Sequence, residues 1–218
     1  MLAAIDTATR VASLALHDGS SVRHEMTWEA AWRHTVHLTA RVVAALNDLG
    51  LEADALTGVA VTLGPGSFTG LRVGLATAKG LALANSLPLV GVPTLDVVAA
   101  AQGRDQRPLV AVLQAGRGRI CVAQYRWQDG WRAENEPRLT TWELLVEQTQ
   151  HPTLFCGEID PKGERALGQL GRLSAVLPPA SRLRRAGFLA DIAWERIRIG
   201  QTDDPAALAP LYLHQPIS

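Results

Sequence analysis

The sequence predicts an α/β protein built from two mixed-sheet halves with flanking helices. Three observations carry that expectation. Short apolar runs alternate with stretches of helical periodicity along the chain. Hairpin turns join early strands in both parts, at Asp18-Gly19 and again at Asp129-Gly130. The order of three strands, then helices and strands in alternation, is met twice, with a seam near Gly103 to Pro108. The halves are therefore expected at 1–104 and 105–218. The repeat is one of element order only, since no residue pattern recurs between the halves.

Leu2 to Ile5 is an apolar run ending at Asp6, and Val11 to Leu16 is a second. Ser21 to Trp28 is a third strand with weaker alternation. Residues 34–49 place Leu38, Val42, Ala45, Leu46 and Leu49 at helical spacing, and Gly50 is placed to end that helix. Gly58 to Thr62 has the unbroken apolar character of a strand buried on both faces. A glycine-rich loop leads into a helix from about Thr69 to Asn85. Leu89 to Val92 is a strand, and Thr94 is expected to cap a helix running to about Gln102.

In the second half, Leu109 to Leu113, Arg119 to Trp127 and Trp131 to Ala133 are strands. Thr140 with Glu143 is expected to form a capping box for a helix to about Gln150. Thr153 to Phe155 and Leu173 to Leu177 are strands, separated by a helix near Lys162 to Leu170. Arg184 to Ile199 is the last helix. Two such units in tandem follow the plan of the actin-like ATPase (RNase H-like) fold, in which nucleotide sits between the halves. That likeness concerns fold and leaves function open.

Composition excludes several classes. Hydrophobic residues make up 47% and charged residues 19%, with mean hydropathy +0.06, which is incompatible with a disordered chain. Lys plus Arg and Asp plus Glu each number 21, so overall charge gives no support for phosphate-led nucleic-acid binding. Two cysteines, Cys121 and Cys156, are too few for a disulfide framework or a four-cysteine zinc site, which fits a reduced, cytoplasmic setting. The opening MLAAIDTATR lacks the basic start of a signal peptide. The longest uncharged runs, Ala55 to Leu71 and Gly80 to Leu95, are broken by Gly and Pro, so no membrane span is expected.

The strongest local signal is Gly64-Pro65-Gly66-Ser67-Phe68-Thr69-Gly70-Leu71-Arg72-Val73-Gly74, between a strand and a helix. Such a loop can aim backbone N–H groups at an anion beside a helix N-terminus. No Gly-Lys-Ser/Thr closes it, so it is not a Walker A loop. It contains G-x-G-x-x-x-G, one residue longer than the dinucleotide fingerprint, which keeps open an NADP-binding oxidoreductase using Gly64, Gly66 and Gly70. The alternative is a structural turn, in which glycines supply backbone freedom and Ser67 or Thr69 caps the helix. In that helix Gly70, Gly74, Ala78 and Ala82 recur every four residues along one side. Gly74 and Gly80 each cost about 1 kcal/mol of helix stability relative to Ala, so close packing must offset them. The stripe could face its own sheet or another subunit.

Asp6 and Thr7 end the first strand at a tight turn, where actin-like ATPases reach toward phosphate. The matching point in the second half, Gln114-Ala115-Gly116-Arg117-Gly118, offers a glutamine in place of an acid. A turn-forming role for Asp6 is the competing reading. His34 and His37 form an H-x-x-H pair without the spacing or the Glu of a metalloprotease. His17, His24, His151 and His214 form no cluster, and neither cysteine has a His at ligand spacing. Arg182, Arg184 and Arg185 precede the last helix and Arg196 and Arg198 close it; a solvated helix end explains them, with RNA contact as the alternative. Six tryptophans show no interleaving with basic residues, so they are assigned to packing.

Several of these motifs together resemble the TsaB (YeaZ) family, which belongs to the group named after the M22 glycoprotease. They are Ala4-Ile5-Asp6-Thr7-Ala8-Thr9, His34-Thr35, GPGSFTGLRVG at Gly64 to Gly74, Lys79-Gly80-Leu81-Ala82, Gly91-Val92-Pro93-Thr94-Leu95 and Pro210-Leu211-Tyr212-Leu213. The likeness is dense over residues 2–100, thinner to about 127, and returns at 210–213. It implies the duplicated actin-like fold. It also implies a non-catalytic subunit, without cofactor, acting in the cytoplasm on N6-threonylcarbamoyladenosine at tRNA position 37. Implied partners are a TsaD-like catalytic subunit, a TsaE-like ATPase, tRNA through the complex, and a second copy when alone. The catalytic sibling carries H-x-x-x-H; here those positions fall on Thr94 and Val98. Where the family often has Asp-Ala-Arg-x-Gly-Glu-x-Tyr, this chain has Gln114 to Cys121. The resemblance further implies a four-helix interface from the helices at His34 to Leu49 and Thr69 to Asn85. Leu38, Val42, Leu49, Gly70, Gly74, Ala78 and Ala82 are its expected contact residues.

Overall fold

The computed structural model describes residues 1–30 and 34–213, with the side chains of 34–37 outside the description. The described residues form two compact units, 1–97 with 185–211, and 98–184 with 212–213. The first contains β1 (Leu2–Asp6), β2 (Val11–His17), β3 (Val22–Glu29), α1 (His34–Asp48), β4 (Gly58–Gly64), α2 (Phe68–Ala84) and β5 (Leu89–Pro93). The helix α3 (Thr94–Ala100) follows. The second contains β6 (Leu109–Gln114), β7 (Ile120–Trp127), β8 (Trp131–Ala133), β9 (Arg138–Thr140), α4 (Trp142–Gln148), β10 (Thr153–Gly157), α5 (Pro161–Gly168), β11 (Ser174–Val176) and α6 (Pro179–Arg182). The helix α7 (Ala186–Arg198) returns the chain to the first unit. This is the duplicated actin-like arrangement, a mixed sheet with helices in each unit. Among the described residues no helix is long and apolar enough to cross a membrane.

The first sheet has the order β3-β2-β1-β4-β5, antiparallel at β1–β2–β3 and parallel at β1–β4–β5. Its central strands are apolar throughout because both faces are covered. Ala3 and Ile5 of β1 turn to the α1 side with Leu38, Val42, Ala45 and Leu46. Leu2 and Ala4 turn the other way, onto Ala186, Leu189, Ala190 and Ala193 of α7. The helix expected to close the second half thus covers the first sheet. Its small-residue side fits that face, which α1 and α2 leave open. Gly50 ends α1 at φ +67, with Leu51 N–H bonded to Leu46 O, as its place after the helical run suggests.

The free edge of β5 is closed by the chain's last segment. Asp203 N–H donates to Leu89 O, Gly91 N–H donates to Asp203 Oδ2 at 2.8 Å, and Arg196 Nη1 donates to Gly91 O at 2.7 Å. An edge so blocked cannot template another strand. Farther on, Leu211 N–H donates to Leu63 O at 2.7 Å, which anchors Pro210-Leu211 beside the glycine loop.

The second sheet runs β11-β10-β6-β7-β8, with β9 also pairing β7. One face buries Val110, Val112, Ile120, Val122 and Phe155 against Trp142, Leu145 and Leu167 of α4 and α5. The cap of α4 is Thr141, whose hydroxyl accepts from Leu144 N–H, and not Thr140, which ends β9. Burying Trp142 at the first helical position moves the cap one residue on. Thr94 is likewise not a cap; its hydroxyl is buried without a hydrogen-bond partner.

The small-residue stripe faces inward. Gly70, Gly74, Ala78 and Ala82 are all buried, the alanines against Val59, Val61 and Leu63. Leu38 and Val42 lie in the core under α1, and Leu49 is half-buried against the same cluster. Of the residues expected at a partner surface, Leu38, Val42, Gly70, Gly74, Ala78 and Ala82 are thus buried in this chain's own core, which corrects that expectation for them, while Leu49 keeps part of its surface exposed. A Cβ on Gly74 would run into Thr7 Oγ1. Gly74→Asp is therefore expected to destabilise the fold by about 4 kcal/mol or more, through overpacking and an unpaired buried charge. Val43→Asp on the exposed side of α1 should stay within about 0.5 kcal/mol of the parent. Thermal unfolding followed by circular dichroism separates the two.

Candidate functional site

The motif residues converge where the turn after β1 meets the loop before α2. Asp6 is fully buried, and its Oδ1 accepts from Ala8 N–H at 2.9 Å and from Thr62 Oγ1 at 3.0 Å. The carboxylate thereby shapes its own turn and ties it to β4. Thr7 Oγ1 donates to Gly70 O at 2.7 Å, and Ser67 N–H donates to Ala8 O at 2.6 Å. Ser67 caps α2 by accepting from Gly70 N–H at 3.3 Å, so the cap is Ser67 and not Thr69. Pro65 is buried and follows Gly64, whose φ of +121 suits only glycine.

This packing decides between the readings of the glycines. A Cβ on Gly66 would run into Ala8 O, and one on Gly70 into Thr7 O. In a dinucleotide loop the corresponding space admits pyrophosphate. Here it holds the chain's own carbonyl oxygens, which present negative ends to an anion, and the Ser67 and Gly70 amides are already bonded. The NADP reading is therefore corrected to a structural clamp. Phe68 and Arg72 lie at the exposed start of α2, with the guanidinium 3.7 Å above the ring.

In the second unit, Gln114 is held at both ends by Glu158: its N–H donates to Glu158 Oε2 and its Nε2 to Glu158 O, each at 2.9 Å. Glu158 also faces the buried Arg184 at 3.5 Å. Nothing in the sequence pairs these residues, because Gln114 and Glu158 meet through the β6–β10 register and Arg184 arrives from the chain after α6. Arg182 pairs with Glu164 at 2.9 Å and Arg185 with Glu25. The basic run before α7 is thus spent on internal ion pairs, which removes the observation that suggested RNA contact there. Arg196 is likewise paired with Asp203, at 3.2 Å.

His17 and His24 each meet a helical carboxylate, Asp191 at 3.3 Å and Asp48 at 3.4 Å. His17 Nδ1 accepts from Gly19 N–H, so its proton sits on Nε2, toward Asp191. Burial raises the Asp191 carboxyl above its ordinary range, with Glu25 adding to that. His34 and His37, as side chains, and His214 lie outside the described residues. Thr94 and Val98 are buried on α3. Among the described residues no three His, Cys, Asp or Glu side chains gather where a metal ion could be held. The two thiols are core groups: burial pushes Cys121 up to about 12 and raises Cys156 further.

Exposed apolar side chains remain on the outer sides of α1 and α2. Val43 of α1, Phe68 and Leu83 of α2 are 51%, 55% and 68% exposed. Ala40, Ala44 and Ala76 are exposed on the same two helices, which lie side by side.

Fold and site together define a member of the actin-like class whose first-unit phosphate-loop position is closed by its own backbone. The profile of the family described as "TsaD: tRNA N6-adenosine threonylcarbamoyltransferase" matches residues 28–136. The tRNA threonylcarbamoyladenosine biosynthesis protein TsaB of Bacillus subtilis is 30% identical over 159 residues, covering 71% of this chain and 69% of that protein. TsaB of Escherichia coli is 34% identical over 153 residues, 67% and 65% of the two chains. The structure of YeaZ from Pseudomonas aeruginosa superposes with a TM-score of 0.80 over 97% of this chain and 99% of that one, at 23% identity. The chain belongs to the TsaB family.

Two outcomes follow from this geometry. NADPH should not bind in equilibrium dialysis at millimolar concentration; saturable micromolar binding would reopen the loop. The native chain should release no colour with Ellman's reagent at pH 8 within minutes, and both cysteines should react once it is unfolded.

Proposed function

We propose that this protein is a non-catalytic scaffold subunit in the formation of N6-threonylcarbamoyladenosine at tRNA position 37, working through a TsaD-like catalytic subunit in the cytoplasm. Membership in the TsaB family supports the pathway. The observation that carries the non-catalytic role is the pair Thr94 and Val98. They stand where the catalytic sibling's resemblance calls for metal-binding histidines, and they are buried in apolar surroundings. The peptidase reading, drawn from the older family name, needs a metal-ligand set that the described residues do not supply.

The partner surface in this reading is the outward side of α1 and α2, around Val43, Ala76 and Leu83. It takes the place of the inward stripe that the family resemblance implied. An exposed apolar strip on two adjacent helices suits a helix pair of a second protein. The TsaD-like subunit is its proposed occupant, and a second copy of this chain occupies it when that subunit is absent, since a two-fold dimer needs only a self-complementary patch. A TsaE-like ATPase joins the same complex, and tRNA is engaged within it.

Depleting the protein in its host should remove threonylcarbamoyladenosine from tRNAs that read ANN codons, as measured by nucleoside mass spectrometry. Unchanged modification would contradict the proposal. Val43→Asp with Leu83→Asp should weaken self-association and binding to the TsaD-like subunit together, by tenfold or more in sedimentation velocity, with the fold intact. Loss of neither would move the interface elsewhere.

A further inference from the structure

The balanced overall charge conceals an uneven division. Residues 98–184 hold 12 Lys and Arg against 9 Asp and Glu, while the rest of the chain holds 9 against 12. The second unit is thus net positive by three and the remainder net negative by three. Five of these twelve cations pair with carboxylates: Arg107, Arg126, Lys162, Arg182 and Arg184. Arg132 and Arg138 have no carboxylate partner among the described residues, and both are exposed.

These two arginines bracket a notch. On β7 the pairing with β8 covers 125–127 and that with β9 covers 120–122; between them Gln124 is held by the connecting segment, its O accepting from Glu134 N–H at 2.8 Å and its N–H donating to Asn135 Oδ1 at 3.1 Å. A cavity of about 250 Å³ opens there, floored by Val110, Val122 and Leu145. Arg132 stands opposite Arg126, and Arg138 opposite Val122. By strand alternation both lie on the face that carries Gln124, separated by about 13 Å along β7.

The rim consists of Gln124, Asn135, Arg138, Gln148, Gln150 and His151, with no carboxylate lining the cavity. Each amide has one end committed and one uncommitted. Gln124 Nε2 donates to Glu134 and Asn135 Oδ1 accepts from Gln124 N–H. Gln148 Oε1 accepts from Arg138 Nη2 at 2.6 Å, and Gln150 Nε2 donates to Glu147 O. Left over are the Asn135 and Gln148 amide donors and the Gln124 and Gln150 carbonyl acceptors. Donors and acceptors over an apolar floor suit the edge and face of an unpaired base, and the flanking guanidiniums suit its phosphates.

Resting on the tRNA reading above, we propose that this notch holds one unstacked nucleotide of single-stranded RNA, its flanking phosphates on Arg132 and Arg138. Glu134 is neutralised by Arg126 at 2.5 Å, and Glu136 leaves the local excess small. Two phosphate contacts predict a salt slope of about −1.4 for a single strand, so the contact is weak alone and assists a larger assembly.

The test uses the full chain and a fluorescein-labelled anticodon stem–loop, with anisotropy read at low salt. Arg132→Glu with Arg138→Glu should weaken binding at least tenfold and flatten the salt slope by about 1.4. Arg165→Glu with Arg172→Glu makes the same charge change at exposed positions elsewhere in the unit and should stay within twofold. Asn135→Ala with Gln148→Ala should weaken the stem–loop but not a fully paired RNA of equal length. Equal losses in both arginine pairs, or no loss at Arg132 and Arg138, would overturn the site. Complementation of a depleted host separates this from the reading it rests on. A wild-type chain that fails to restore the modified nucleoside sinks that reading. A wild-type chain that restores it, with stem–loop binding unchanged in the Arg132 and Arg138 variant, sinks the notch alone.

Discussion

The close approach of α2 to the turn after β1 is the contact on which the first unit depends. Gly66, Gly70 and Gly74 lie where any side chain would meet Ala8 O, Thr7 O or Thr7 Oγ1. Three hydrogen bonds, from Thr7 to Gly70, Ser67 to Ala8 and Thr62 to Asp6, hold turn, loop and strand as one piece. A buried carboxylate is costly unless it is satisfied, and Asp6 accepts from Ala8 N–H in its own turn and from Thr62 Oγ1 of β4. The glycine content of α2, unfavourable for an isolated helix, is thereby explained by tertiary packing.

That contact also bears on function. Backbone carbonyls fill the space a phosphate would need, so the loop most like a nucleotide motif works as a clamp. The clamp positions α2, and with α1 beside it, sets Val43, Phe68 and Leu83 on the outer surface. The glycine clamp and the exposed apolar side chains thus lie on two sides of one helix. In the second unit, the short strands β8 and β9 share β7, and the cavity beside them is rimmed by amides, a surface with quite different chemistry.

The sequence made most regular elements legible because the driving pattern is local. Apolar runs of four to six residues marked β1, β2, β4 and β6, and Gly50 marked the end of α1. What escaped is what depends on distant parts of the chain. The α7 helix was expected on the second half, but its Ala186-to-Ala193 side matches the open face of the first sheet. β9 and α6, of 3 and 4 residues, are too short to show periodicity. Thr140 and Thr94 look like caps by composition, yet one ends a strand and the other has a buried, unbonded hydroxyl. The stripe of small residues announced a close approach without saying to what. Its fourfold spacing is the same whether the neighbour is a sheet or another subunit. Glu158 with Gln114 and Arg184 could not be foreseen, since the β6–β10 register brings Glu158 beside Gln114 and the chain after α6 brings Arg184.

Amide hydrogen exchange at Ser67 tests the clamp most directly. Its N–H is bonded to Ala8 O beneath the loop, at 2.6 Å. The expected result is exchange only through global unfolding, with a protection free energy equal to the stability of the chain and unchanged by added nucleotide. Exchange through a low-energy local opening, or protection that rises when nucleotide is added, would contradict the clamp and return the loop to ligand binding.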